Sequence, residues 1–412
     1  MSAHIAVGVS GGIAAYKSVE LIRLLREAGH RVTVIPTRNA LKFVGAATFE
    51  AISGEPVVTS LWSSAAEVPH VRIGQGVDLV IVAPATADLL ARAAHGIADD
   101  VVTNVLLTAH APVVLAPAMH TEMWQHPATQ ANVATLRDRG IQVLDPAVGR
   151  LTGEDSGPGR LPEPAYLADV ATDMLEARHA RDMVGMRVVV SMGGTREDWD
   201  PVRFLGNRSS GKQGAALVRA ALLRGAHVTA VVGNVECTVP PAQVRVDVDS
   251  AAAMHKAMAQ AVFEPDAHVD AVVMAAAVAD FTPAEVSFGK VKKDGEPPTL
   301  ALSETDDILA ALVATRGART APILVGFAAE TAGDVETLRA LALQKIARKG
   351  CDLIVANDVS DGATFGSETN AALIVSGTQV VDEIPLARKS VLAHRVWDQV
   401  LRARDSRGVS AG

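Results

Sequence analysis

His4-Ile5-Ala6-Val7-Gly8-Val9-Ser10-Gly11-Gly12-Ile13-Ala14-Ala15-Tyr16-Lys17 decides the fold of the first half of this chain. Residues 5–9 form a short apolar run of the kind buried on both faces of a parallel sheet, and it breaks into paired glycines. Apolar residues at helical spacing follow over 16–28 and stop at Gly29, which predicts strand, tight turn and helix. Such a turn leaves backbone N–H groups unpaired at a helix N-terminus, where a phosphate can bind. Met186-Arg187-Val188-Val189-Val190-Ser191-Met192-Gly193-Gly194-Thr195-Arg196 is a second start of the same kind, with a different turn. Two dissimilar turns point to two phosphate-bearing ligands and two reactions on one polypeptide.

Outward from these starts, strands are predicted at 31–36, 79–83, 113–116 and 141–144, with helical patterns between them. After 186 they are predicted at 188–191, 228–232, 271–275, 323–327, 353–356 and 372–375, with helices over 338–349 and about 389–402. This alternation means βαβ units and parallel sheets, so the fold class is α/β with two Rossmann-like domains. Val9 and Val190 belong to the opening strands and should serve packing only. Residues 149–164 are rich in Gly and Pro and predict a mobile loop or flap, followed by a helix over 165–180 and a charged connector over 178–185. The tail past Asp405 reads as disordered. A chain of 412 residues exceeds one ordinary core, and the expected division is 1–180 and 181–412.

Hydrophobic residues make up 49% of the chain but aromatics only 3%, so Ala, Val and Leu must fill the cores. The net charge of −8 argues against a broad nucleic-acid surface. The chain opens directly into a strand, and it lacks the apolar stretch of about 18 residues that a membrane span needs. Cys237 and Cys351 form no CxxC pair, so neither a zinc site nor a disulfide framework is implied. A cytoplasmic soluble protein without membrane or nucleic-acid partners is the plain reading.

Ser10, Gly11, Gly12 and Ile13 depart from the dinucleotide pattern GxGxxG and suit a mononucleotide phosphate. Pro84-Ala85-Thr86-Ala87-Asp88 closes another strand. Ligands of open α/β sheets lie beyond the carboxyl ends of strands, which brings both loops to one site. Either loop alone is also what a tight strand-to-helix connection requires. Together with Gly96-Ile97-Ala98-Asp99-Asp100 and Pro117-Ala118-Met119-His120-Thr121-Glu122-Met123-Trp124, these segments make residues 1–175 resemble the flavin-dependent cysteine decarboxylases. Within that group the likeness is greatest to phosphopantothenoylcysteine decarboxylases.

The resemblance implies a flavodoxin-like flavoprotein domain that holds FMN at a trimer interface through Ser10, Gly11, Gly12, Ile13, Thr37, Pro84, Ala85 and Thr86. It implies oxidative decarboxylation of a cysteine-derived group, with His70 of Pro69-His70-Val71-Arg72-Ile73 as base. Met119, His120 and Trp124 fall in the substrate motif, where the family carries Asn in place of His120. The family's flap cysteine is missing, its place falling near Gly153, so Asp155, Glu154 or water is left to supply the final proton.

In the second half, Asn207-Arg208-Ser209-Ser210-Gly211-Lys212 contains SSGK without the GxxxxGK[ST] spacing of a P-loop. By itself it is a polar, basic loop at a helix start. Ala275-Ala276-Ala277-Val278-Ala279-Asp280-Phe281, Lys290-Val291-Lys292-Lys293, Gly326-Phe327-Ala328-Ala329-Glu330-Thr331 and Asn357-Asp358-Val359 accompany it. With Gly193-Gly194-Thr195-Arg196-Glu197, they make residues 186–400 resemble the phosphopantothenate–cysteine ligases. The resemblance implies that 4′-phosphopantothenate attacks the α-phosphate of CTP to give an acyl-cytidylate, which cysteine then captures. Asn207 would stabilise that intermediate, Arg208 would contact substrate and Lys290 the triphosphate. Ala275, Ala276, Ala277, Phe327, Lys345 and Lys349 would bind CTP, and Asp280 would do so directly or through Mg2+. Thr305, Asp306, Asp307 and Ile308 fill the place of a base-contacting turn in which the family often carries NPDI. Lys345 and Lys349 are four apart and share a helix face.

The ligase family forms dimers, and a three-fold with a two-fold contact in one chain implies a closed homo-oligomer such as a dodecamer. The whole reads as a fused two-step enzyme of coenzyme A synthesis. A flavin prenyltransferase or peptidyl-cysteine decarboxylase would leave the second half unexplained. A non-enzymatic regulatory flavoprotein is favoured by the missing cysteine and opposed by His70, Asn207 and Lys290.

Overall fold

A computed structural model describes residues 2–61, 68–150, 156–176, 181–265, 267–292, 299–360 and 366–408. The chain divides into two compact units, Met1–Arg178 and His179–Gly412. In the first, β1 (His4–Val9), β2 (Arg31–Pro36), β3 (Leu79–Ala85), β4 (Val113–Pro117) and β5 (Gln142–Val143) form a parallel sheet in the order β2-β1-β3-β4-β5. Every residue of β3 and β4 is buried, as a sheet covered on both faces requires. The helix Ala15–Glu27 buries Ala15, Ser18, Leu21, Ile22 and Leu25, the three-and-four spacing seen in the sequence. Each of its fully buried Leu and Ile side chains contributes about 1.5–3 kcal/mol. The sheet reverses its direction of growth between β1 and β3, so their loops flank an open crevice.

The segment expected to be a mobile flap is in its described part a hairpin, β6 (Ala147–Arg150) with β7 (Ser156–Arg160). No apolar alternation announces β7, because it docks through glycines. A Cβ on Gly159 would strike the Met119 carbonyl oxygen, and one on Gly157 would lie 3.0 Å from Thr121 Cγ2.

The second unit opens with β8 (Arg187–Met192), the short pair β9 (Glu197–Asp198) and β10 (Phe204–Leu205), β11 (His227–Val232) and β12 (Val244–Asp247). Then come β13 (Ala271–Met274), a second short pair, β14 (Phe281–Pro283) and β15 (Leu302–Glu304), and β16 (Ile323–Glu330). β17 (Leu353–Asp358), β18 (Thr369–Ser376) and β19 (Gln379–Arg388) complete a sheet ordered β12-β11-β8-β13-β16-β17-β18-β19. Its last two strands are antiparallel, so the chain leaves the βαβ scheme after β17. β12 and β19 are edge strands, mostly outside the core, and present no buried run to detect.

The helix Lys212–Leu223 rests on β8 at Gly214, whose Cβ would stand 3.0 Å from Met192 Cα. The helix Lys389–Ser406 runs past Asp405 and buries Trp397, whose indole Nε1 donates to the Leu217 carbonyl at 2.9 Å. Val9 and Val190 are fully buried. Among the described residues no helix is long and apolar enough to cross a membrane.

Candidate functional sites

In the first unit the β1 and β3 loops are tied together by one side chain. Ser10, buried, donates its hydroxyl to the Pro84 carbonyl at 2.7 Å and accepts the Thr86 amide at 3.0 Å. That hydroxyl is already spent on the protein, although the sequence places it among the flavin contacts. What remains for a ligand is backbone. The amides of Gly11, Gly12 and Ile13 find no partner among the described residues, at the start of the helix Ala15–Glu27. Gly11 is pressed against Asn39, 2.9 Å from its carbonyl carbon for an added Cβ, whereas a Cβ on Gly12 would meet only Thr86 Cγ2 at 3.7 Å. An open cradle with free amides beside an exposed Ile13 fits a flavin phosphate.

Thr37 closes the next turn. Its amide donates to Val9 at 2.9 Å and its hydroxyl accepts from Ala40 at 3.2 Å. Pro84 and Ala85 are strand residues, and Thr86 caps the helix Ala87–His95 by accepting the Leu89 amide.

His70 is the second residue of the helix Pro69–Gly76. That helix lies against Val101–Thr108 where Gly74 leaves no room for a Cβ, 2.9 Å from the Thr108 carbonyl carbon. The His70 Nδ1 is buried and finds no partner among the described residues. A buried nitrogen left so costs about 1–3 kcal/mol, which fits a ring reserved for a bound group. Met119 donates its amide to Gly159 at 3.0 Å, His120 is exposed ahead of the helix Thr121–Gln125, and Trp124 is buried beneath them. Asp155, Glu154 and Gly153 lie outside the described residues.

The second unit holds a cavity of about 1020 Å³ at the carboxyl ends of its strands. Asn207, Arg208, Ala275, Ala276, Ala277, Asp280, Thr305, Asp306, Asp307, Ile308, Phe327, Lys345 and Lys349 all line it. The structure thus gathers into one wall residues spread over more than a hundred positions. Lys290 does not line it. It is exposed, in the connection between β14 and β15.

The loops of this cavity are cross-braced. Asn207 Nδ2 donates to the Val278 carbonyl at 2.8 Å, and the Thr305 hydroxyl donates to Ala279 at 2.6 Å. Lys345 pairs with Glu330 at 2.8 Å, Lys349 pairs with Asp307, and His255 meets Asp306 at 3.0 Å. Burial alone would raise the Asp307 carboxyl. The Lys349 ammonium and the Ala310 amide outweigh it and hold that group below the usual carboxylate range. Asp280 and Arg208 are exposed, with side chains free of partners among the described residues.

Gly211, Lys212, Gly214 and Asn357, which stand in or beside the motifs read from the sequence without a role of their own, also line the cavity, as does Lys389, which the sequence reading missed. The helix Lys212–Leu223 starts at Gly211 (φ +77) without a side-chain cap, leaving its first-turn amides to the cavity. Lys389, remote in sequence, is buried with its ammonium donating to the Ser367 carbonyl. Burial, and then nearby Lys212, lower its pKa from the ordinary lysine value. Free amides together with several cations suit a polyphosphate. Among the described residues no group of three or more His, Cys, Asp or Glu could cage a metal, so a divalent ion would need oxygens from the ligand beside Asp280.

A flavoprotein family model matches residues 1–176, and the DNA/pantothenate metabolism flavoprotein C-terminal domain matches residues 183–403. The coenzyme A biosynthesis bifunctional protein CoaBC of Mycobacterium tuberculosis is 52% identical over 404 residues, covering 97% of this chain and 96% of that protein. Its counterpart in Vibrio vulnificus is 41% identical over 402 residues, covering 96% of each. The solved C-terminal domain of a coenzyme A biosynthesis bifunctional protein CoaBC covers 55% of this chain and 100% of that domain, at 31% identity and a TM-score of 0.45.

Proposed function

This chain belongs to the coenzyme A biosynthesis bifunctional proteins, and from that premise we propose what each of its residues does. It is a bifunctional enzyme of coenzyme A synthesis, a flavoprotein decarboxylase joined to a ligase. In the proposed scheme residues 181–412 condense 4′-phosphopantothenate with cysteine using CTP, and residues 1–180 decarboxylate the product to 4′-phosphopantetheine with FMN.

The observation that carries the ligase half is the single cavity lined by Asn207, the 275–277 loop, Asp280 and the Lys345–Lys349 face. The substrate carboxylate attacks the α-phosphorus of CTP, pyrophosphate leaves, and the cysteine amine then displaces CMP from the acyl carbon. Lys345 and Lys349 balance the phosphate charge, and the first-turn amides after Gly211 donate to phosphate oxygens. Lys290 reaches the triphosphate from the β14–β15 connection. Asn207, fixed through Val278, presents its free carbonyl oxygen to the intermediate. Mg2+ travels with the nucleotide against Asp280. Arg208 takes the phosphopantothenate, and the 305–308 turn contacts the cytosine through its backbone.

In the decarboxylase half, FMN supplies the redox step at the carbon beside sulfur. The chain's own work is to seat the phosphate on Gly11, Gly12 and Ile13 and to hold a proton acceptor at His70. Met119, His120 and Trp124 frame the substrate, with His120 a donor to its carboxylate. Asp155 is the proposed proton donor in place of the family's cysteine. A cytoplasmic homo-oligomer built from trimeric flavin-site contacts and dimeric ligase contacts, a dodecamer, completes the proposal.

Mass spectrometry of the products from purified protein with phosphopantothenate, cysteine, Mg2+ and CTP, with ATP in parallel, tests both halves. 4′-Phosphopantetheine with CMP supports the reading. Arrest at phosphopantothenoylcysteine refutes the decarboxylase half, and turnover with ATP equal to that with CTP refutes the nucleotide assignment. Mass photometry of the same sample checks the assembly.

A further inference from the structure

Asp200 is buried, yet its carboxylate carries a heavy hydrogen-bond load. Oδ1 accepts the amides of Val202 at 2.8 Å and Arg203 at 2.9 Å. Oδ2 accepts Arg203 Nε at 2.9 Å and also Arg203 Nη2. Neither of these explains the remaining partner. Oδ2 also accepts the amide of Val291 at 3.1 Å, 91 positions along the chain. Arg203 Nη2 returns the tie by donating to the Val291 carbonyl at 2.9 Å. Both polar groups of Val291 are therefore engaged by one carboxylate–guanidinium pair.

The neighbouring residues add to the grip. The Ser287 amide donates to the Trp199 carbonyl at 2.9 Å, and the Arg203 guanidinium lies 4.0 Å over the Trp199 ring. Lys290 sits between these two anchor points, in the described stretch 284–292, which forms no helix or strand. The turn that supplies every anchor runs on through β10 to Asn207 in the cavity wall. A free loop would let the Lys290 ammonium sample many places. An anchor one peptide away removes most of that freedom before ligand arrives, the cost that preorganisation avoids.

We propose that Asp200 is a positioning residue of the ligase reaction: it holds the Val291 peptide, directly and through Arg203, and thereby fixes Lys290 for the triphosphate. The proposal rests on the reading of Lys290 as a triphosphate contact. A carboxylate that only caps its own turn would need the Val202 and Arg203 amides and nothing from Val291.

The test uses the full-length protein and the variants Asp200→Ala, Asp200→Asn, Lys290→Ala and Asp200→Ala/Lys290→Ala. Hydrogen exchange of the peptide spanning 287–292 and trypsin cleavage after Lys290 report the anchor without reference to activity. Both should accelerate about tenfold or more in Asp200→Ala. Steady-state ligase kinetics report the function. kcat/KM for CTP should fall by about 10- to 100-fold in Asp200→Ala, and the double variant should be no worse than Lys290→Ala alone. Unchanged exchange at 287–292 would overturn the proposal, as would losses that multiply in the double variant. Should Asp200→Ala not fold, Asp200→Asn keeps the shape and one strong acceptor, and the same two readouts apply. Accelerated exchange with wild-type kinetics in Lys290→Ala would place the failure in the assignment of Lys290 and leave the anchor standing.

Discussion

Ser10→Ala separates two roles that the sequence cannot tell apart, binding a phosphate and holding the loops that bind it. The hydroxyl donates to Pro84 at 2.7 Å and accepts from Thr86 at 3.0 Å, with Ser10 1% exposed. After removal the Pro84 carbonyl still accepts the Ser10 amide at 3.2 Å, so it stays satisfied. The Thr86 amide does not, and a partly buried donor without a partner costs about 1–3 kcal/mol. Expressed as local opening, that is an acceleration of about 5- to 150-fold in exchange of the Thr86 amide. The assay is hydrogen exchange on flavin-stripped, full-length protein, followed over the segment 84–90. Gly12→Ala is the comparison. Its Cβ meets only Thr86 Cγ2 at 3.7 Å, so exchange should stay as in the wild type while flavin binding weakens. If Ser10→Ala leaves exchange over 84–90 unchanged and lowers only flavin affinity, the hydroxyl is a ligand contact and the reasoning is wrong.

Three further outcomes follow from the same contacts. Asp358 is held down to about 2 by the Ser360 hydroxyl and amide, with the Ala332 and Gly333 amides adding to them. A folded pKa below the unfolded one means its contribution is complete above the ordinary carboxylate range, about 3.9, and is lost as pH falls from there towards 2. Urea unfolding at pH 5 and pH 3 should show this acid loss in the wild type and a shallower one in Asp358→Asn; equal slopes would refute it. Burial pushes the Cys351 thiol up to about 12, so mass spectrometry after alkylation at pH 8 should find it unmodified until the protein is unfolded. Lys349→Ala removes one charge from the cavity and should raise KM for CTP roughly tenfold, with kcat changed less, in ligase assays.

The central strands were legible because burial on both faces leaves apolar runs, as in β1, β3 and β8. β12 and β19 were not, since edge strands owe their structure to backbone pairing and carry mixed side chains. β7 reads Ser156-Gly157-Pro158-Gly159-Arg160, a loop by composition, and becomes a strand because its glycines let it approach Met119 and Thr121. In the ligase cavity the motif residues were legible one loop at a time. Lys389 was not, because it enters from the first turn of the last helix and no local pattern marks it. The tie from Asp200 to Val291 was invisible for the same reason, as it joins positions 91 apart.

Both units solve one problem in the same way. Where a parallel sheet reverses its direction of growth, two neighbouring strands send their chains to opposite faces, and backbone bonds join them only a short way further, Ser10 to Pro84 in the first unit and Ala277 to Gly193 and Thr195 to Ala277 in the second. A side-chain tie beside those bonds helps to keep the loop amides aimed at a ligand. In the first unit Ser10 supplies it, accepting the Thr86 amide across β1 and β3. In the second, Ser191 accepts the Ala276 amide at 3.2 Å and Thr195 Oγ1 accepts the Ala279 amide at 2.9 Å across β8 and β13. These hydroxyl residues are buried, at 1% exposure or less, and each ties the loop after the neighbouring strand. In the proposed scheme hydroxyls at such positions are scaffolding for the backbone amides that would bind the ligands. The consequence is a pair of selective losses in one polypeptide. Thr195→Val keeps the shape and removes the acceptor, so it should lower ligase kcat/KM and leave flavin affinity at the wild-type value. Ser10→Ala should do the reverse. Ligase kinetics and flavin titration on the two variants decide it, and a Thr195→Val protein with undiminished ligase kcat/KM would show that the tie across β8 and β13 is dispensable.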